Sequence, residues 1–278
     1  MIPSPTSDAA RARPISARRL TLLGLIGGAA AWAAAECVYL PSLLPQRDRF
    51  VQLMLEAQKW EQAEAAGRID AARRDAELLA LETQEPDNPF VQTLLDRSIS
   101  DAEAQRRFAD LRTRVWVWNA WWFTTATVGL TATAAAVEAA AARDARRAME
   151  SAAVGGACGL IAGPLVSCLI DSLTNLVSEE LTPEALLPWA FVRLAGWSLL
   201  GACASASRLW VAGSVHGGFR TLTGGALAGA AAWLAFELNL GSPALGRVIW
   251  LTAFGAAVGA AAAWSAAPSP DVVGRTAT

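Results

Sequence analysis

Three carboxylates stand where an apolar chain seldom places them. Glu36, Asp171 and Glu237 each lie shortly before the end of a long apolar run, and Arg114, Arg193 and Arg247 open, or lie just inside, the apolar runs that follow. Ionisable groups in such a setting bind a cation, relay a proton or pair with one another, because a bare charge near a bilayer centre costs roughly 2.5–3.5 kcal/mol. Pairing of Glu36 with Arg114, Asp171 with Arg193 and Glu237 with Arg247 is the expected arrangement; the alternative is an ion or proton path through the same acids. Nucleophilic chemistry has one place to sit, at Ser167, Cys168 and Asp171, and no base accompanies them. His216 is the single histidine, in a basic loop, and reads as a surface residue.

Cofactor chemistry finds no foothold. Cys37, Cys158, Cys168 and Cys203 form no CxxC and sit in apolar segments, so neither a disulfide framework nor a zinc or haem site is expected. "GGACGLIAG" at 155–163 is glycine-rich but lacks the Gly-Lys-Ser/Thr of a phosphate loop. No cofactor, no metal and no enzymatic activity are expected from these residues.

The elements that would position the acids are written twice. "GAAAWAAAE" at 28–36 returns as "GAAAWLAFE" at 229–237, each with an arginine nine residues before its glycine, Arg19 and Arg220. Gly-x3-Trp-x3-Glu keeps all three residues on one helix face, since four residues turn about 400°. A looser copy stands at Gly163, Ser167 and Asp171. The following runs share a second pattern, Arg-x7-Gly-Ala, at Arg193/Gly201 and Arg247/Gly255; the run after Arg114 departs, with Trp122 in place of the glycine. Gly28, Gly159, Gly163, Gly225, Gly229, Gly255 and Gly259 belong to small-x3-small patterns or to the repeat itself and are expected to let helix backbones approach closely.

Composition sets the class. With 54% hydrophobic and 17% charged residues in 278, the chain is far less charged than a soluble domain. Its net charge of −2 leaves no excess to attract nucleic acid. Residues 1–19 form a basic tail, and the apolar run 20–44 is long enough for the roughly 20 residues that span a bilayer, although the small residues before Glu36 also resemble a signal-peptide cleavage site. Residues 45–114 are the one substantial polar region: apolar residues every three or four positions predict one amphipathic helix to about Leu81, "EPDNP" at 85–89 breaks it, and Ser100 with Glu103 predicts a capped helix running on into the membrane. Part of this region weakly resembles half a tetratricopeptide unit, too little for a superhelical groove. Further apolar runs cover 115–141, 149–175, 187–206, 219–240 and 246–266, within a membrane region ending at 267, and 268–278 form a C-terminal tail.

The expected fold is therefore all-α: a polytopic membrane protein of about six transmembrane helices in three hairpins, with 45–114 as a helical extracytoplasmic insertion. Arginines at 143, 146, 147, 208, 220 and 275 fall in alternate connections, which places both termini in the cytoplasm. "GLIGGAAAWAAAE", "RLAGWSLLGACASASRL" and "GGFRTLTGGALAGAAAWLAFE" resemble the Gly-rich multi-pass bacterial membrane domain that accompanies forkhead-associated, von Willebrand factor A or Ser/Thr kinase modules. The likeness covers about half the chain, which uses alanine where that domain tends to use leucine and carries no such soluble module. It implies a bacterial inner-membrane location and signalling company, and no catalytic residues. The expected function is a non-enzymatic membrane scaffold or partner-binding subunit, in contact with the bilayer and with another protein; the alternative is a small transporter or channel using Glu36, Asp171 and Glu237. Oligomeric state carries no signal in the sequence.

Overall fold

The structure, a computed structural model, describes residues 16–96, 98–178, 186–212, 218–237 and 243–266. Among these residues every regular element is helical: α1 Ala17–Tyr39, α2 Leu44–Ala65, α3 Ala71–Thr83, α4 Pro89–Leu95, α5 Asp101–Ala141, α6 Ala145–Ser178, α7 Leu186–Ala212, α8 Gly218–Glu237 and α9 Pro243–Ala266. Two compact units result, one of Met1–Ala34 with Phe123–Thr278, the other of Ala35–Trp122. Among the described residues three stretches are long and apolar enough to cross a membrane, Ala17–Tyr39, Ala145–Ile170 and Leu245–Trp264, which fits a membrane-embedded protein. The other expected spans fall in α5, α7 and α8, where Thr, Trp, Ala and Gly replace much of the Leu and Ile.

The polar unit obeys local rules. Helix α4 begins at Pro89, whose missing N–H costs nothing there, and the Asn88 side chain accepts from Phe90 N–H at 3.1 Å. Ser100 Oγ accepts from Glu103 N–H at 3.3 Å to open α5, which then runs unbroken for 41 residues. The expected single helix to Leu81 is instead two. Gly67 takes φ +66°, Gly67 N–H reaches Glu64 O and Arg68 N–H reaches Ala63 O, so α2 ends in a left-handed cap before α3 starts. The first apolar helix likewise stops at Tyr39, short of the expected Leu44, because the turn at Pro41 and Ser42 ends it; Ser42 Oγ donates to Tyr39 O at 2.6 Å and accepts from Leu44 N–H at 3.1 Å. Phe50 packs on Phe90 and Phe108 (ring centroids 5.4 and 6.3 Å), and Arg49 ties α2 to Glu85 at 3.0 Å.

The same left-handed cap recurs in the apolar unit with the wrong residue. Arg143 has φ 65°, Arg143 N–H reaches Ala140 O and Asp144 N–H reaches Ala139 O, while Asp144 accepts from Arg147 N–H to open α6. A non-glycine residue in this conformation is disfavoured by roughly 1–2 kcal/mol. Arg143→Gly is expected to stabilise the chain by about 0.5–1 kcal/mol, since the relief exceeds glycine's extra chain entropy; a thermal-shift measurement in detergent checks it.

Six helices of the apolar unit neighbour one another in a closed ring. Packing joins α6 to α7, α7 to α8 and α8 to α9. Glycines join the rest: Gly24 and Gly28 of α1 lie against Gly255 and Leu251 of α9, Gly27 of α1 against Thr133 of α5, and Gly155, Gly159 and Gly163 of α6 against α5. Leu20 of α1 is buried in a cluster with Val137, Ala141 and Ala262. Because α1 fills this place, it is expected to persist in the mature protein. Intact-mass measurement of purified protein should retain residues 20–35, and an N-terminus at Glu36 would contradict the packing.

Candidate functional site

The glycines define a common register. A Cβ built on Gly28 would meet the Leu251 carbonyl oxygen, one on Gly229 the Trp197 carbonyl oxygen, and one on Gly163 the Thr124 Cα at 2.6 Å. One turn earlier, Gly24 faces Gly255, Gly225 faces Gly201, and Gly159 faces Val128. These contacts join α6 to α5, α8 to α7, and α1 to α9. Val128 therefore corresponds to Gly201 and Gly255. That moves the arginine position of α5 to Ala120 and takes it away from Arg114, and the glycine position is Val128 where the sequence pattern had selected Trp122. A slip of this kind is invisible in sequence because α5 has neither residue of the Arg-x7-Gly pattern to anchor it.

This register shows what α5, α7 and α9 turn towards one another. Thr127, Leu200 and Phe254 occupy corresponding positions and are wholly buried. So are Thr131 and Ala204, with Val258 at 3% exposure; further along come Ala134, Ser207 and Ala261, all buried. The spacing 4-3 on each helix is that of a coiled-coil seam. At one end an aromatic chain crosses the three helices, Phe123 to Trp197 at 5.3 Å, Trp197 to Trp250 at 4.4 Å, and Trp250 to Phe254 at 6.3 Å. Ser207 Oγ donates to Ala204 O at 2.6 Å and lies 3.2 Å from Thr131 O. The Thr127 hydroxyl is buried with no hydrogen-bond partner.

At the other end Arg208 of α7 pairs with Glu138 of α5, and its Nη2 also reaches Ala262 O of α9 at 3.5 Å. The Arg208 side chain is 12% exposed and Glu138 36%. This pair was not among those expected. The alternation of basic connections assigns Arg208 to a loop, whereas α7 continues to Ala212 and carries it within the helix. Glu138 had one signal that could have marked it: it is the lone acid of 115–141.

The expected pairs are distributed as follows. Arg247 of α9 is buried at 8% exposure. Glu36 is half-buried near the end of α1, and Arg114 is exposed on α5. Asp171, Arg193 and Glu237 lie on α6, α7 and α8, and their side chains, like His216, fall outside the described residues. Cys168, close to Ser167, is exposed and Ser167 is buried, so the two do not share one surface. No group of three or more His, Cys, Asp or Glu that could hold a metal ion occurs among the described residues.

On the polar unit, an open cleft of about 820 Å³ runs between α4 and the start of α5, bordered by Thr93, Asp96, Glu103, Arg106, Arg107 and Asp110. Arg107 is held by Asp96 at 3.1 Å and Glu103 at 3.3 Å. Asp96 also accepts from the Ser98 hydroxyl and from Ser98 N–H at 3.1 Å. The Ser98 hydroxyl is the main cause that lowers the Asp96 carboxyl below its ordinary value, with the Ser98 N–H next and Arg107 adding to it. The stabilisation this supplies is present above about pH 4 and is lost as pH falls through the lower folded value. Ser98→Ala is expected to raise the Asp96 titration back towards the ordinary carboxylate range, as followed by carboxyl carbon NMR. No protein-family model, no curated protein and no solved structure matches this chain.

Proposed function

We propose that the chain is a six-span inner-membrane scaffold, non-enzymatic, that recruits a protein partner through the cleft of its polar unit. The observation that carries this reading is the packed inner seam. Transport needs a wet path, and the positions where one would run are taken by Thr127, Leu200 and Phe254, none of them exposed. Six spans are supported by the outward faces of the less apolar helices: Phe191, Leu199 and Trp210 on α7 and Phe219, Leu222, Leu227 and Leu234 on α8 are exposed, as are Leu160, Ile161 and Leu165 on α6. Large apolar side chains exposed along these helices suit lipid and would be costly in water. Three related hairpins are supported by the shared glycine register, in which the ring closes on itself through α1 and α9.

The cleft offers charges of both signs, with Arg106 and Asp110 exposed at one turn's separation on α5. That suits a peptide segment recognised by polar contacts at its rim. The proposed six-span orientation has both termini in the cytoplasm and the cleft outside, and the resemblance to the Gly-rich bacterial domain favours a partner in signalling company. The test is cross-linking in native membranes from a photoreactive residue at position 106, compared with one at Glu61 on α2. A single discrete adduct from position 106, lost in Asp110→Arg, is expected. Equal adduct patterns from the two positions, or ion uptake by reconstituted vesicles, would overturn the reading.

A further inference from the structure

We infer that the Glu138–Arg208 pair is a latch that holds one end of the three inner helices shut, and that its release admits water between them. The two ends of the seam are closed by different means. One is plugged by bulk, through Phe123, Trp197, Trp250 and Phe254. Towards the other end the buried side chains shrink to Ala134, Ser207 and Ala261, which fill little space and cannot block a gap if a helix tilts. What spans the three helices there is Arg208, which joins Glu138 of α5 and lies within 3.5 Å of the Ala262 carbonyl of α9.

The shared register separates this feature from ordinary packing. Positions that only pack recur in all three helices, as at Thr131, Ala204 and Val258. The latch does not recur: Val211 and Ser265 occupy the positions corresponding to Glu138, and Ala135 and Ala262 those corresponding to Arg208. One acid on one helix and one arginine on another make a contact between two particular pairs of helices. Its exposure is also graded, with Arg208 at 12% and Glu138 at 36%, so the acid stands at the boundary where water or salt competes for it. Losing Glu138 strands the Arg208 charge in a poorly solvated place, and a charge so placed is relieved by drawing water inward. The latch concerns the apolar unit alone and stands apart from the partner-binding reading.

The experiment uses the full chain in lipid vesicles, with its four native cysteines replaced and Ser207→Cys as reporter, one register step inside the latch. With the pair intact, labelling by a water-soluble maleimide should be slow. Glu138→Gln is expected to accelerate it at least about tenfold, and Glu138→Leu with Arg208→Leu to slow it again, because no stranded charge remains. Unchanged labelling in Glu138→Gln would overturn the latch, as would fast labelling in the double variant, which would mean that general loosening admits the reagent. Should Glu138→Gln fail to give a monodisperse protein, the exchanged pair Glu138→Arg with Arg208→Glu decides: slow labelling upholds the latch and fast labelling overturns it.

Discussion

Gly255→Ala is expected to destabilise the detergent-solubilised chain by about 1–3 kcal/mol, with Gly28→Ala close behind, whereas Gly156→Ala should be neutral or stabilising by up to about 1 kcal/mol. The contrast follows from what each new methyl meets. At Gly255 it would press on the Gly24 carbonyl oxygen and lie 2.7 Å from Gly28 N and Cα, and at Gly28 it would press on the Leu251 carbonyl oxygen. These are backbone atoms of a facing helix and cannot rotate aside, so the helices must separate and forfeit contact along α1 and α9. At Gly156 the nearest atom is Val128 Cγ1 at 3.7 Å, an ordinary contact, and alanine's better helix propensity is left to act alone. Thermal unfolding followed by circular dichroism in a mild detergent measures all three. Equal effects at Gly156 and Gly255 would mean that the glycines matter through helix propensity and not through close approach.

Local chemistry was legible in the sequence, and register was not. Ser100 and Glu103 announced the start of α5, "EPDNP" the break before α4, and the absence of any breaker in 101–141 the continuous helix. Each is a signal confined to a few neighbouring residues. Gly67 was missed because the apolar period continues across it; a left-handed cap depends on one residue's φ and leaves the pattern on either side intact. Trp122 takes the glycine position by spacing alone, for the complementary reason: in packing α5 carries Val128 there, and only the contacts of Gly159 with Val128 and of Gly163 with Thr124 fix the alignment. Arg208 was read by its position near the end of an apolar run, which topology rules give to a loop, and its partner Glu138 lies 70 residues away in sequence. Pairing at that range is a property of packing.

Phe254→Ala is expected to cost about 3–5 kcal/mol, and Thr127→Val, at the corresponding position of α5, to stabilise by about 1 kcal/mol. Opposite signs are expected because the two residues fail in opposite ways when changed. Phe254 is wholly buried and lies against Trp250 with the rings tilted, so truncation leaves a void that neighbouring helices, already in contact through glycine, have little room to close. Thr127 is also wholly buried, but its hydroxyl has no partner, so the shape-conserving valine removes an unsatisfied polar group while keeping the volume. The pair of measurements bears on function as well as stability. If water threaded the inner helices, the Thr127 hydroxyl would be hydrated, valine would lose that interaction, and the space left by Phe254 would fill with solvent at small cost. A destabilising Thr127→Val with a mild Phe254→Ala, both read from detergent unfolding midpoints, would therefore point to a wet path and to transport. Loss at Phe254 with gain at Thr127 would mark a dry seam, as the proposed scaffold requires.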